Sequence, residues 1–365
     1  MKHPPTPKLR FISALGLLLA SAIGTKAVAT PAINAVNGAL QHAQTVTLSG
    51  SGFGSKTSAS PQLWDSVDNI SSYHGLTDGQ TIPTGSPHPW PANANSLIKL
   101  ETGDPQHGTH SSKCYKGSGT GVKFNDKRIT NTGRIYASWW FKPEINPNTQ
   151  TQNGHSSKFL RLSNSGNVTG LTFSWTQMHN YVYRSDQGYC QNNGGGYWQS
   201  WTGLTGEWNH HETFMDGINR TYQISVNGQV ITNAFWDACD PFDFDEVWQI
   251  GWDSGGSSTL PMTIWMDDIY IDNTPQRIML CAGSQWATRG HCENQIPHSW
   301  SASSLAFTVN QGAFLAGQNL YLYVLDQSNQ PNAAGYAVSM GDAAPTPTPD
   351  SLAPQAPVGL SAQSY

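Results

Sequence analysis

Charged residues are scarce in this 365-residue chain, and basic residues are the scarcer kind. Nineteen lysines and arginines stand against 24 aspartates and glutamates, which gives a formal net charge of −5. Such a balance leaves little room for the basic surface that a nucleic acid requires, so we expect no nucleic-acid partner. No stretch beyond the first 29 residues is apolar for long enough to cross a bilayer as a helix, and we therefore expect no membrane span.

Helical periodicity is also nearly missing, whereas apolar residues recur at every second position in many short segments. Glycine, tryptophan and tyrosine are plentiful, with 36, 14 and 13 residues. Asn227-Gly228 is a strong signal for a tight hairpin between two strands. The pattern predicts an all-β sandwich with strands at Arg134–Pro143, Lys158–Leu162, Leu171–Arg184, Trp208–Met215, Thr221–Val226, Val247–Trp252 and Thr263–Ile271.

The first 29 residues have the composition of a secretory signal peptide. Lys2, Lys8 and Arg10 precede an apolar run over residues 11–23, and a small-residue site ends at Ala29. We expect cleavage near Ala29 and a secreted mature protein that is extracellular, periplasmic or held at the cell surface. The cleavage removes four basic residues, which leaves 15 basic and 24 acidic residues and a net charge of −9.

Cysteine is rare, with five residues in the whole chain. An exported protein meets an oxidising compartment, so disulfides are expected. Cys281 and Cys292 are close in sequence and could close a small loop. Cys190 with Cys239 is the second predicted pair, and Cys114 is then left free. Five cysteines allow several other connectivities.

The two ends of the chain resemble the two halves of an immunoglobulin-like IPT/TIG domain. Residues 45–54 read TVTLSGSGFG, which is similar to an early strand and Gly-rich turn of that family, and residues 299–309 read SWSASSLAFTV, which is similar to a later strand. The resemblance implies one sandwich formed by residues 31–61 and 276–341. The alternative is a contiguous C-terminal module on which the N-terminal strand docks.

Residues 62–275 then form an insert, and this insert resembles the concanavalin A-like lectin/glucanase superfamily. The resemblance lies in the order of WNHHETFMDG (208–217), a strand, the Val-Asn-Gly turn and the closing MDDIYID (266–272). It implies a jelly-roll sandwich that binds or cleaves a polysaccharide. Residues 342–365 are a Pro/Thr-rich linker and tail, whose end resembles the first strand of a fibronectin type III domain.

Residues 171–191 carry an unusual series of polar and aromatic side chains. Read as one long strand, this stretch places a row of groups on one face, because side chains alternate between faces. The members of that row that concern a site are Trp175, Gln177, His179, Tyr181 and Tyr183. Such a face suits the floor of a groove that binds a sugar polymer, because aromatic rings stack on sugars and amides bond hydroxyls. A plain half-buried strand is the alternative.

The string Trp-Thr-Gln-Met-His is similar to the Q-x-H strand of jelly-roll polysaccharide lyases such as alginate lyases. That resemblance implies that Gln177 helps to neutralise a uronate carboxylate, with Arg161 supplying positive charge, and that His179 takes the C5 proton. One of the tyrosines, Tyr181, Tyr183 or Tyr189, would protonate the leaving oxygen. The R-x-E-x-x-R strand of those lyases is absent. Paired glycosidase carboxylates are absent too, so whether the protein is an enzyme stays open.

Aromatic residues around residues 192–201, with the sequence NNGGGYWQSW, are candidates for stacking on sugars. The candidate substrate-binding residues are Trp175, Tyr189, Tyr197, Trp198, Trp201 and, at the rim of the groove, His211. Adjacent histidines point to opposite faces of a strand, so His210 and His211 do not suggest a metal site. Plugging of the sandwich core is the alternative role for the tryptophans.

Acidic residues at the two ends of the insert could hold a structural Ca²⁺. Asp267 and Asp268 lie in its last strand, and Asp65 lies in its first. Calcium prefers carboxylate and carbonyl oxygens. The sequence thus predicts a carbohydrate-binding or carbohydrate-active protein, with a polysaccharide lyase as the first alternative and a structural or adhesion module of the cell surface as the second.

Overall fold

A computed structural model describes residues 30–104, 111–150, 157–164, 172–191, 195–241, 243–254 and 261–341. The predicted signal peptide and the predicted linker and tail lie outside these residues. The described residues form β-strands joined by loops and four short 3₁₀ helices, with no α-helix among them. The prediction of an all-β protein is therefore confirmed.

The first twelve strands run to residue 189. They are β1 (Ala32–Asn37), β2 (Thr45–Ser51), β3 (Leu63–Asp65), β4 (Ala92–Asn93), β5 (Lys99–Glu101), β6 (Cys114–Gly119), β7 (Gly121–Arg128), β8 (Arg134–Pro143), β9 (Lys158–Ser163), β10 (Thr172–Thr176), β11 (His179–Arg184) and β12 (Gly188–Tyr189). Three of the 3₁₀ helices lie between them, at Ser71–Tyr73, Ala94–Ser96 and Pro147–Thr149.

The remaining strands complete the described chain. They are β13 (Tyr197–Trp198), β14 (Asn209–Asp216), β15 (Thr221–Val226), β16 (Gln229–Phe235), β17 (Glu246–Asp253), β18 (Met262–Asp272), β19 (Arg277–Cys281), β20 (Cys292–Trp300), β21 (Ser304–Thr308), β22 (Asn319–Leu325) and β23 (Tyr336–Ser339). A fourth 3₁₀ helix spans Trp286–Thr288. Asn227 and Gly228 join β15 to β16 with φ angles of 51° and 77°, the backbone that the predicted hairpin turn requires.

Two eight-stranded antiparallel sheets pack face to face. The first, here called the groove sheet, has the order β12-β11-β10-β9-β17-β7-β4, and β13 also pairs with β11. The second, here called the joint sheet, has the order β16-β15-β14-β8-β18-β6-β5, and β3 also pairs with β18. Large buried rings fill the space between them; Trp139 of the joint sheet meets Trp175 of the groove sheet with ring centroids 5.6 Å apart.

A third, seven-stranded sheet takes strands from both ends of the described chain. Its order is β1-β2-β21-β20-β19-β22-β23, so β2 pairs with β21 across more than 250 residues of sequence. Its buried apolar side chains form clusters of their own, separate from the core of the two eight-stranded sheets. Val46, Leu48, Leu305 and Phe307 are among the fully buried members.

The outer face of the joint sheet lies against the seven-stranded sheet through a buried polar contact. The Arg289 guanidinium lies 2.8 Å from the Glu212 carboxylate, and the Arg277 guanidinium lies 3.5 Å from it. The Tyr136 hydroxyl donates to the same carboxylate at 3.0 Å, and the Trp140 indole donates to Glu293 at 3.1 Å. Burial raises the pKa of Glu212, but the charges of Arg289, His210 and Arg277 outweigh it and bring the pKa to about 2.

Both predicted disulfides are present. Cys190 is bonded to Cys239, and Cys281 is bonded to Cys292. Cys114 is free, as predicted, and it is buried. Cys190 directly follows β12, so the first bond ties an edge of the groove sheet to the loop before β17. Among the described residues, no helix has the length and apolar character needed to cross a membrane.

Candidate functional site

The stretch predicted as one strand from residue 171 to the 180s is a hairpin. Strands β10 and β11 pair antiparallel, with Trp175 opposite Asn180 and Ser174 opposite Tyr181, and residues 177 and 178 form the bend between them. Paired residues share a face, so Phe173 and Trp175 face the core with Asn180. The predicted common face of Trp175 with His179, Tyr181 and Tyr183 is therefore wrong, because the reversal places these three on the outer face.

Five rings form a cluster on the outer face of the groove sheet. The Trp198 indole stacks on the His179 imidazole, with centroids 4.3 Å apart and planes at 8°. Tyr181 lies 4.8 Å from the imidazole, and Tyr189 packs edge-on against Tyr181 at 5.4 Å and Tyr183 at 5.6 Å. Trp198 is 69% exposed, and Tyr183 and Tyr189 are exposed to about two fifths, so the cluster offers ring faces to solvent.

The segment that bears Trp198 is held against β11 at very close range. His179 Nε2 donates to the Gly195 carbonyl, which leaves Nδ1 as the nitrogen with the lone pair when the ring is neutral. Gly196 has a φ of 85°, and a Cβ at that position would lie 2.7 Å from the Tyr181 Cβ. Only glycine fits there without displacing the cluster. Burial lowers the pKa of His179, with the Gly195 bond opposing that shift, so the imidazole is neutral at pH 7.

Two cations, Arg161 and Lys158, lie beside this cluster. Arg161 of β9 is in register with Ser174 of β10, and Ser174 is in register with Tyr181 of β11. Arg161 and Tyr181 therefore share the outer face and lie two strands, or about 10 Å, apart. Lys158 is in register with Thr176 at the end of the same strand, β9. Neither cation makes an ion pair with any residue in the described part of the chain. The Arg161 guanidinium lies 5.0 Å from the centre of the exposed Trp248 ring.

The surroundings of Lys158 disfavour its charged form. Burial, together with the charges of Arg161 and Lys123, lowers the pKa of Lys158 to about 8, although Asp253 opposes the shift. Lys123 is paired with Asp253 at 2.5 Å and so adds little net charge. Arg161 is partly buried and Lys158 is buried, and neither makes an ion pair with a described residue, so an anion would stabilise this site.

The other predicted substrate-binding residues, together with Gln177, which was predicted to neutralise a uronate carboxylate, lie in the core of the sandwich or against it. His211 faces the core, where the Trp201 indole donates to its Nε2 at 2.9 Å, and burial lowers its pKa well below the usual range. Trp175 and Trp201 are buried with it, and Tyr197 packs against the same core. Gln177 is also buried, at the β10–β11 bend, and neither polar atom of its side chain has a described partner. The structure thus separates these five from the exposed cluster.

The three predicted calcium ligands lie where β3 pairs with β18. Asp65 is fully buried and accepts hydrogen bonds from the Tyr115 hydroxyl, the Trp90 indole and the Val67 amide. These donors occupy both carboxylate oxygens, so Asp65 does not fit the role of a calcium ligand. Asp268 follows Asp267 at a bulge in β18 and accepts from Asn310. Calcium at Asp267 and Asp268 stays a prediction.

Sequence reasoning missed Lys158, Lys123, Trp248 and Gln249 as members of this face. They come from three strands, β9, β7 and β17, that are adjacent in space and far apart in sequence. The alternation within each strand is visible in the sequence, but the register between strands is not. The site is therefore an exposed ring cluster beside an unpaired cationic patch, carried by an antiparallel β-sandwich.

Comparison with known proteins adds little to this description. No protein-family model matches the sequence, and no curated protein matches it. Among solved structures, the binding domain of botulinum neurotoxin serotype G is similar over 72% of this chain and 72% of that one, with 10% identity and a TM-score of 0.35. A sialidase is similar over 64% of this chain, with 9% identity and a TM-score of 0.32.

A third similar structure is domain 4 of AbnA, an extracellular arabinanase of Geobacillus stearothermophilus, solved in complex with arabinotriose. The similarity covers 67% of this chain and 96% of that domain, with 13% identity and a TM-score of 0.27. This chain spans only 21% of the sialidase. Identities and TM-scores this low transfer no function to this chain.

Proposed function

We propose that this protein binds an acidic polysaccharide on the outer face of the groove sheet. The observation that carries the proposal is an exposed ring cluster, with Trp198, Tyr183 and Tyr189, on the same face as Arg161 and Lys158. Neither cation makes an ion pair with a described residue. Rings stack on the apolar faces of sugars, and cations bond carboxylates through charge-assisted hydrogen bonds. A neutral polymer would leave the two cations unpaired, whereas a uronate polymer would pair them.

The experiment is affinity electrophoresis of the full mature chain in gels containing alginate, polygalacturonate or neutral hydroxyethyl cellulose. We expect retardation by an acidic polymer and none by the neutral polymer. Trp198→Ala removes an exposed ring, and Arg161→Met removes one cation, which is worth about 1.5–3 kcal/mol or roughly 10- to 100-fold in Kd. The matched control is Arg128→Met, because Arg128 lies on the same sheet but is paired with Glu246 at 3.2 Å.

Retardation that persists unchanged in both Trp198→Ala and Arg161→Met would place binding elsewhere on the molecule. Equal retardation by acidic and neutral gels would remove the role assigned to the cations. Added salt should weaken the binding of the wild type, because exposed and half-buried ion pairs are screened. Arg161→Met should show a shallower dependence on salt than Arg128→Met.

A second candidate function, cleavage of the same polymer by β-elimination, is favoured by the contact of His179 with two phenols. His179 would take the C5 proton of a uronate residue. The electron pair of that C–H bond would form the C4–C5 double bond while the C4–O bond breaks, and Tyr181 or Tyr189 would give a proton to the leaving oxygen. Burial, with the neighbouring phenols Tyr181 and Tyr183, raises the pKa of Tyr189, so its phenol is protonated at neutral pH.

Ultraviolet absorbance of the conjugated product distinguishes a lyase from a binding protein. A rise on a uronate polymer that is abolished by His179→Ala would support elimination. Because the pKa of His179 is lowered, the imidazole stays a base below its usual value of 6.5, and activity should persist into mildly acidic solution. Polymer that is retarded in gels but gives no absorbance would leave binding as the function.

The architecture that carries this function is, we propose, a concanavalin A-like jelly roll of residues 62–275 inserted into an IPT/TIG-like sandwich of residues 31–61 and 276–341. The support is the seven-stranded sheet, which draws its strands from both of those outer segments. Its hydrophobic clusters, which are separate from the core of the two larger sheets, support the same division. Export, which the predicted signal peptide implies, agrees with the two disulfides.

A further inference from the structure

A second cleft lies on the opposite side of the molecule from the ring cluster, between the joint sheet and the loops of the seven-stranded sheet. Its volume is about 570 Å³, within the range of small-molecule sites. The floor is the outer face of β14, β15 and β16, and the wall includes Trp286 and the turn at 328–331. None of its lining residues belongs to the groove sheet, so the proposed function does not account for it.

Three floor residues form one row across paired strands. Phe214 is in register with Gln223, and Gln223 is in register with Asn233. Adjacent strands lie about 4.8 Å apart, so the row presents a ring and two amides over about 10 Å. Neither amide side chain makes a hydrogen bond to a described residue. Such a row offers stacking at one end and amide donors and acceptors along its length.

The wall is held rigidly by the buried polar contact described above. The Arg289 guanidinium stacks on Trp286, 3.9 Å from the ring centre, and is fixed by its ion pair with Glu212. Trp286 also packs edge-on against Tyr323 at 5.2 Å. On the floor side, a Cβ on Gly228 would lie 2.6 Å from the Gly290 carbonyl, so floor and wall touch at one end. A cleft fixed in this way loses little conformational entropy when it takes a ligand.

The described lining also exposes almost no charge. Arg289 is the one charged side chain among the described lining residues. It is 2% exposed, and its guanidinium is ion-paired with Glu212, which also contacts Arg277. A charged ligand would find no exposed counterion among the described lining residues. We propose that this cleft is a second carbohydrate site, which takes a short neutral oligosaccharide, in contrast to the cationic face of the groove sheet. The proposal stands apart from the proposed function, since the two sites share no residue.

The test is titration of the full mature chain with cellotriose, xylotriose and mannotriose, followed by saturation-transfer NMR and calorimetry. We expect at least one trisaccharide to bind, and Gln223→Ala and Asn233→Ala each to weaken it about ten-fold, the effect of about one hydrogen bond. Both side chains are at least partly exposed, so these variants should fold. Gln229→Ala is the matched control, because Gln229 is an exposed amide on the same strand as Asn233 but does not line the cleft.

Trp198→Ala separates this site from the groove sheet. A trisaccharide that still binds to Trp198→Ala, and that is lost in Gln223→Ala, supports the second site. Failure of all three trisaccharides to bind the wild type would overturn the proposal. Binding that Trp198→Ala abolishes, and that Gln223→Ala and Asn233→Ala leave intact, would overturn it as well, since the sugar would then occupy the ring cluster.

Discussion

Replacing Glu212 with glutamine should destabilise the protein strongly, because the carboxylate is the shared partner of two buried cations. Arg289 and Arg277 contact it at 2.8 and 3.5 Å, and the side chains of all three residues are at most 5% exposed. Breaking a buried ion pair by removing one partner costs about 3–5 kcal/mol. In a chain of more than 300 residues each kilocalorie moves Tm by about 1.5 °C, so we expect a fall of roughly 5–7 °C.

The dependence on pH gives a second estimate of the same contribution. The pKa of Glu212 is about 2 in the folded protein, below its ordinary value of 4.5. As pH falls, the unfolded chain therefore takes up the proton first, and the stabilisation is complete above pH 4.5 and lost as pH falls from 4.5 towards 2. At about 1.36 kcal/mol per pKa unit this amounts to about 3 kcal/mol.

Thermal and urea unfolding of wild type and Glu212→Gln at pH 7 and at pH 3 is the assay. The difference between the two proteins should be large at pH 7 and smaller at pH 3. Glu207→Gln is the control, because Glu207 precedes the same strand and is exposed. A Glu212→Gln variant that unfolds with the wild-type midpoint at pH 7 would refute the account of the contact between the joint sheet and the seven-stranded sheet.

Three further predictions concern the groove sheet. Gly196→Ala should weaken binding of acidic polymer in gels, because its Cβ would lie 2.7 Å from Tyr181; unchanged retardation would contradict the close approach. Binding of acidic polymer should weaken as pH rises through about 8, because Lys158 loses its charge there. In Lys158→Met, binding should no longer change around pH 8. Binding by the wild type that does not change between pH 7 and pH 9 would contradict this prediction. The double variant Cys190→Ser, Cys239→Ser opens a loop of 49 residues and should lower the free energy of unfolding by up to about 4 kcal/mol. An unchanged midpoint of urea unfolding would show that the disulfide does not stabilise the protein.

Most of the fold could be predicted from the sequence, because short-range signals determine it. The strand Arg134–Pro143 and the strand Thr221–Val226 have the predicted bounds, and the hairpin at Asn227-Gly228 has the positive φ angles that the dipeptide favours. The Cys281–Cys292 disulfide also follows, because these two cysteines are close in sequence. These features depend on neighbours in sequence or on residue type alone.

The faces of the key hairpin could not be predicted, because Gln177-Met178 carries no turn signal. A bend without glycine, proline or asparagine cannot be recognised from the residue pattern. Such a bend moves every later side chain of the predicted strand to the opposite face of the sheet. The positions of other site residues likewise depend on which strands pair and in which register. This applies to His211 and Trp201, which lie in the core, and to Lys158, which lies beside Arg161. Long-range pairing sets that register.

Hydrogen–deuterium exchange with and without an acidic polysaccharide tests the central claim most directly. The account predicts slower exchange in peptides that cover residues 179–184 and 197–198 when alginate or polygalacturonate is bound, with β20 to β23 unchanged. Protection confined to the seven-stranded sheet, or to the joint sheet alone, would contradict the assignment of polysaccharide binding to the ring cluster and its cations.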